Sequence, residues 1–312
     1  MKALTFSNTS ESQALTVSES LSTLLKSATS ENTRSSYLIA LNQFNNWVPT
    51  GAPLSDSICA EYVSFIEQSG RAVASAKMFS AAMNKLSSQN NQPSPIGSLT
   101  KSAIAGFSRQ ARNRGRGQAQ GIGWESADFI AKRSSELGSL SGIRNAAIVA
   151  VMSDGLLRIS EVSNLTVSDF QVQSDGSGRL TIQHSKTDQS GQGATVYLGQ
   201  PTTNLVNHWL SESGISDGYL FRSIRKGSKA LGTSKLSTVS IRTSIKQAAE
   251  NAGIENVRGH SLRVGSAQSL ASRGASLVAM QQAGRWNDPS MPSHYAKAEL
   301  AARGAVAKLR YG

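Results

Sequence analysis

Nine residues, 113–121, divide the chain in two. They read NRGRGQAQG, with three glycines, two arginines and no large apolar side chain. Such a stretch has nothing to bury, and its glycines leave the backbone loose, so it predicts a linker. At 312 residues the chain exceeds what one small core needs, and two domains suit it better. The expected division is a disordered start over 1–12, a helical domain over 13–112, the linker over 113–121 and a second domain over 122–312.

The same basic character reaches well beyond the linker. Residues 68–124 hold no Asp or Glu, while Arg71, Lys77, Lys85, Lys101, Arg109, Arg112, Arg114 and Arg116 are all cationic. The formal net charge of the whole chain is +12. A one-signed stretch of this length is a candidate phosphate-tracking surface. A solvated basic face or a flexible tail is the plainer alternative. Helical periodicity around the charges favours nucleic acid. No run of 18 apolar residues is present, so no membrane span is expected. The start, MKALTFSNTSESQ, lacks the apolar segment of a signal peptide. The single Cys59 excludes an internal disulfide and a cysteine zinc site, and the four histidines are scattered. An intracellular protein without a metal is the expectation.

Apolar spacing predicts helices over about 13–28, from Ser30, from Ser55, over 73–88 and over 98–112. Ser30 and Ser55 are the expected N-caps. Tyr37, Leu38, Leu41, Phe44 and Trp47 are expected on one face of the second helix. After the linker, helices are expected over about 124–136 and 140–153. Three strand-like runs follow, LTVSDFQV, RLTIQHS and ATVYLG, separated by the turn-forming SDGSG and KTDQSGQG. Helices resume at about 201–213, 235–252, 260–273 and 276–284, with a last one from about 297. The fold class is mainly α with a small antiparallel β-sheet. It comprises an all-helical N-terminal domain and an α+β second domain.

Residues 259–297 carry the chemistry: GHSLRVGSAQSLASRGASLVAMQQAGRWNDPSMPSHYAK. His260 and Arg263 are one helical turn apart. Trp286 follows 23 residues after Arg263, and Tyr295 nine residues later. A His, an Arg and a Tyr brought together supply a proton shuttle, an anion clamp and a nucleophile. Upstream, Arg158 and Glu161 stand i,i+3 in GLLRISEV, and Lys186 sits in the turn QHSKTDQSG. Taken alone, the first is an ordinary helix-surface ion pair and the second a turn lysine. Tyr197, Tyr219 and Tyr311 are rival nucleophiles, with Tyr197 and Tyr219 expected in the core. His294 is expected to point away from the site.

Taken in order, Arg, turn Lys, His-x-x-Arg, Trp and Tyr resemble the tyrosine site-specific recombinases, the phage integrase family. LLRISEV, SKT, YLFRSIRK, GHSLRVGSAQ and MQQAGRW are similar to its Cre-like branch. The resemblance covers about 122–312. It implies a catalytic set of Tyr295, Arg158, Arg263, His260, Lys186, Trp286 and Glu161. Two guanidiniums clamp the nonbridging oxygens of a phosphodiester. Tyr295 attacks with help from His260, since a free phenol titrates near ~10. Lys186 protonates the leaving 5′-oxygen. Glu161 orients the cations, and Trp286 buttresses the helix bearing Tyr295. The resemblance implies a two-domain DNA clamp with a helical core-binding domain, a catalytic domain ending in a tail helix, and no cofactor. Implied partners are duplex DNA with inverted-repeat half-sites and a homo-tetramer on two sites, a dimer on each. No membrane is involved, and the place of action is the cytoplasm, on the nucleoid. DNA contacts are expected from Arg34, Lys77, Lys85, Arg109, Arg112, Arg114, Arg116, Arg242 and Lys246, with Thr33, Tyr37, Ser237, Val239 and Ser240 beside them. A type IB topoisomerase activity and a DNA-binding regulator with a degenerate site are the alternatives.

Overall fold

The computed structural model describes residues 29–111, 117, 119–183, 193–225, 230–295, 297, 309 and 310. The helix expected over 13–28, the tail helix and Tyr311 lie outside these residues, as do Arg112, Arg114, Arg116 and Lys186. The chain forms two compact units that divide between Gly117 and Gln118.

The first unit holds α1 (Glu31–Trp47), α2 (Asp56–Gln68), α3 (Val73–Gln89) and α4 (Ser98–Gln110). Ser30 and Ser55 cap α1 and α2 through their side-chain oxygens, as Ser residues do at helix starts. The core is aromatic. Phe44, Tyr62 and Phe79 meet with ring centroids 4.7–5.1 Å apart, and Trp47 and Phe65 pack against them. The start of α4 is capped from a distance. The Asp56 carboxylate accepts the Gly97, Leu99 and Thr100 N–H groups and the Thr100 hydroxyl. Leu38 departs from expectation: it is 59% exposed on α1. It lies about 100° around the helix from Tyr37, which takes it off the Leu41–Phe44 face.

The second unit begins with α5 (Trp124–Glu136) and α6 (Leu140–Asp154). Helix α6 is apolar all round, and everything from Asn145 to Ser153 is buried, so it forms the axis of the domain. Next come α7 (Ile159–Asn164) and a three-stranded antiparallel sheet in the order β1 (Phe170–Val172), β2 (Gly178–Ile182), β3 (Ala194–Leu198). Phe170 pairs with Leu180, and Leu180 with Val196. Tyr197 corrects the expectation of a core residue: it is 66% exposed. Strand alternation places it on the Thr195 side of β3, while Leu198 faces the core.

Helix α8 (Gln200–Ser213) packs on α6, and an unanticipated hairpin of β4 (Arg222–Ile224) and β5 (Leu231–Lys235) follows. Four more helices follow among the described residues: α9 (Thr238–Asn251), α10 (Ser261–Ser272), α11 (Leu277–Gly284) and α12 (Ser290–Tyr295). Among the described residues no helix is long and apolar enough to cross a membrane.

The chain enters the second unit directly over α10. Ile122 N–H donates to the Ser261 carbonyl at 2.9 Å, and Trp124 N–H donates to Ser269 Oγ at 3.1 Å. Between these bonds the Ile122 backbone lies against Gly265, so closely that a Cβ there would overlap it. The Gly265→Ala variant is therefore expected to lose about 1–3 kcal/mol of stability through overpacking. A drop in the urea midpoint of full-length protein would register it; an unchanged midpoint would show that the segment moves aside freely.

Candidate active site

The site is assembled from four segments. The first is the turn between α6 and α7. Leu156 takes a left-handed φ of 47° there, which turns its carbonyl toward two arginines. Arg158 closes the turn as the N-cap of α7, with Glu161 at the third position of that helix. Glu161 Oε2 accepts the Arg158 backbone N–H at 2.9 Å, and Oε1 accepts Arg158 Nη1 at 2.7 Å. Read alone in the sequence, this pair belonged on a helix surface. In the structure the Glu161 side chain is 1% exposed and that of Arg158 15%.

The second segment is the start of α10. His260 occupies the N-cap position, and Arg263 is buried in the first turn. The Arg263 guanidinium donates to the Leu156 and Gly284 carbonyls. It lies over the Trp286 ring, with Cζ 4.9 Å from the centroid. Burial lowers its pKa to about 9, helped by Arg158 and Arg285 and opposed by Glu161 and Tyr295; it remains a cation at neutral pH.

The third segment is the end of α11, where Trp286 turns back under the helix. Trp286 N–H donates to the Gln281 carbonyl, and Gln281 Nε2 donates to that of Trp286. A Cβ on Gly284 would strike the indole, so a glycine is needed there. The fourth segment is α12, whose Tyr295 ring stacks on Trp286 at 5.3 Å and 25°. Trp286 is part of a small core of its own with Leu156, Ala267, Ala271 and Met280, against which Tyr295 and Met291 pack. His294 is exposed and meets Tyr295 edge-on at 5.6 Å.

His260 is pushed below the ordinary imidazole value of 6.5, first by burial and then by Arg263, Arg158 and Arg242. Arg242 belongs to α9, where the sequence suggested a DNA contact. A Cβ on Gly259 would come within 3.7 Å of its Nε, so this side chain faces the start of α10. Lys246, one turn further along, is exposed and pairs with Glu250 at 3.4 Å. Arg34, Lys77 and Arg109 are exposed on the first unit, and Lys85 is half-buried.

The structure thus brings together Arg158, Glu161, His260, Arg263, Trp286 and Tyr295. It also brings in Arg285, which sequence reasoning passed over. Arg285 Nη2 meets Glu161 Oε2 at 2.9 Å. Its neighbour Trp286 was singled out, but nothing in the local sequence marks Arg285 as partner to a glutamate 124 residues upstream.

The second unit is thus a set of helices wrapped around a buried guanidinium, with a short antiparallel sheet and a tyrosine on a late helix. The chain belongs to the phage integrase family, which it matches over residues 128–301. It is 29% identical over 266 residues to the recombinase Cre of Escherichia phage P1, covering 80% of this chain and 78% of the relative. Its fold is similar to that of the XerH site-specific recombinase bound to palindromic difH substrate. There the TM-score is 0.64 at 17% identity, over 89% of this chain and 80% of that one. It is also similar to the Tn1549 transposon integrase in complex with transposon right end DNA, with a TM-score of 0.64 at 14% identity. That match covers 92% of this chain and 98% of the other.

Proposed function

We propose that this protein is a site-specific DNA recombinase that cleaves and rejoins duplex DNA through Tyr295. One observation carries the reading: in a chain of this family, the Trp286 ring holds Arg263 on its face and stacks on Tyr295, with Arg158 and His260 near enough to Arg263 for the charges to act on one another. Arg158 and Arg263 bind the nonbridging oxygens of a phosphodiester and stabilise the charge that grows on them during attack. Tyr295 Oη forms a bond to phosphorus as the bond from phosphorus to the 5′-oxygen breaks. The phenol proton passes to neutral His260, and Lys186 gives a proton to the departing 5′-oxygen. The product is a 3′-phosphotyrosyl link and a free 5′-hydroxyl. A 5′-hydroxyl from the partner strand attacks that link, regenerates the phosphodiester and releases Tyr295. The bond count is unchanged throughout, so the exchange runs without an external energy source.

In this reading the first unit is the core-binding domain, and residues 113–121 are the linker of a DNA clamp. Arg34, Lys77, Lys85, Arg109, Arg112, Arg114 and Arg116 contact phosphates, with Lys246 and Arg242 on the catalytic side. A dimer occupies each pair of inverted half-sites, and two such sites meet in a tetramer, in the cytoplasm on the nucleoid. Glu161 and Trp286 hold the clamp and the nucleophile.

The test begins with duplexes selected by binding from a random pool. A selected site carrying a nick beside the scissile phosphate is incubated with the protein, so that the short leaving strand is lost and the adduct is trapped. The expected outcome is a covalent protein–DNA species whose nucleotide maps to Tyr295 by peptide mass. Absence of any adduct would sink the catalytic reading in favour of a binding regulator. An adduct that only relaxes supercoils, without exchange between sites, would point to topoisomerase-type chemistry.

The depressed pKa of His260 sets a pH dependence. A neutral imidazole accepts the phenol proton, so cleavage at saturating DNA is expected to hold at pH 7. It falls as acid protonates His260, below the ordinary value of 6.5. Removing one of the cations that hold this value down has a definite sign: Arg242→Ala moves the acid limb to higher pH. A limb that stays in place, or one that persists in His260→Gln, would remove His260 from this step.

A further inference from the structure

Arg285 is the C-cap of α11 and holds a left-handed φ of 52°. That is the position at which helices most readily take glycine, because a Cβ there is crowded. An arginine at this place needs another cause, and its side chain supplies one. The guanidinium turns inward and is only 10% exposed. Nη1 donates to the Gly155 carbonyl at 2.9 Å, and Nη2 to the Leu156 carbonyl at 3.2 Å. Nη2 also reaches Glu161 Oε2 at 2.9 Å.

Two of these three acceptors also hold the arginines of the phosphate clamp. Glu161 holds Arg158, and the Leu156 carbonyl accepts Arg263. We infer that Arg285 is a positioning residue of the catalytic centre: it fixes Glu161 and the turn at residues 155–157, and through them sets where Arg158 and Arg263 present their donors. This rests on the proposed cleavage of a phosphodiester by Tyr295. A carboxylate held by one guanidinium keeps a rotational freedom that a second, anchored on two backbone carbonyls, removes. Displacement of a reacting group by about 1 Å costs on the order of 10²-fold in rate, so a residue that never touches DNA governs cleavage strongly.

Arg285→Gly tests this, because glycine keeps the helix cap and relieves the crowding. With the nicked duplex at saturation, single-turnover adduct formation is expected to fall by about 10²-fold. The DNA dissociation constant should stay close to wild type, and the thermal midpoint should fall only modestly, the relieved helix cap offsetting part of the lost bonds. In a Glu161→Gln background the same change should add less than its full loss, since part of its action runs through that carboxylate. Guanidinium ion at sub-denaturing concentration should restore part of the Arg285→Gly rate. Cleavage at the wild-type rate, parallel losses of binding and cleavage, or full additivity with Glu161→Gln would each overturn the inference. Should the glycine variant not fold, Arg285→Lys carries the same test. One ammonium cannot span two carbonyls and a carboxylate, so wild-type cleavage by that variant would also overturn it. The wild-type arm keeps the two proposals apart. If wild type forms no adduct, the cleavage reading falls first; if it does and Arg285→Gly matches it, only the positioning role falls.

Discussion

Tyr295→Phe is expected to abolish the covalent adduct and leave the protein folded and bound to DNA. The substitution removes one oxygen and nothing else. The ring still stacks on Trp286, 5.3 Å away, and still packs with Met291 against the cluster of Leu156, Ala267, Ala271 and Met280. The thermal midpoint should therefore stay near that of wild type, and DNA affinity, set largely by phosphate contacts, should change little. Adduct yield on the nicked duplex should fall to background, because none of the described rivals is placed to make the bond. The described rivals are poorly placed. Tyr197 projects from β3 at 66% exposure, and Tyr219 forms a backbone bridge with Thr166. Neither is in the cluster that holds Trp286. An adduct that survives Tyr295→Phe would show that the nucleophile lies elsewhere.

The sequence showed the helices best where one periodicity held over ten residues or more. Helix α2 is such a case, since Cys59, Tyr62, Val63 and Ile66 recur at i, i+3, i+4 and i+7 and are all buried. Strands β2 and β3 were legible from apolar runs set beside glycine-rich turns, but of the expected strand LTVSDFQV only Phe170–Val172 is one, because Val167–Asp169 closes into a 3-10 turn with Asp169 capping Thr166. The β4–β5 hairpin was not, because RSI and LGTSK carry no clear alternation and their pairing is irregular between Arg222 and Ile224. Tyr197 misled because β-propensity marks a strand without saying which face is wet. Leu38 misled in a related manner, an apolar residue between Tyr37 and Leu41 that lies off the buried stripe of Leu41 and Phe44. At the site, the spacing of His260, Arg263, Trp286 and Tyr295 was visible because it repeats a family pattern. The burial of Glu161 was not, since an i,i+3 Arg–Glu pair reads the same on a wet helix as in a dry one. Arg285 was invisible for a further reason: its meaning lies in a left-handed backbone angle and in carbonyls about 130 residues away in the chain.

Arg263→Lys should damage both stability and catalysis, and the pairing of these losses is diagnostic. Arg263 spans two carbonyls, Leu156 from the α6–α7 turn and Gly284 from the end of α11, while its flat face rests on Trp286. A lysine ammonium offers no plane to lay on the indole and cannot reach both carbonyls in the same geometry. An ammonium that stays on the Leu156 side, where Arg285 already donates, leaves the Gly284 carbonyl without its side-chain donor, at a cost of about 1–3 kcal/mol. The ammonium is also the more strongly hydrated cation, so burying it at this site is harder. The chemical loss is separate. The phosphate loses one directed donor of the clamp, and removal of a single such donor costs roughly 10²–10³-fold in rate. The urea midpoint should fall, and the single-turnover cleavage rate should fall by that larger factor even under conditions where the variant is fully folded. Tyr295→Phe, by contrast, should leave the midpoint in place. Cleavage by folded Arg263→Lys within a few-fold of wild type would mean that this guanidinium serves packing alone, leaving Arg158 to carry the phosphate.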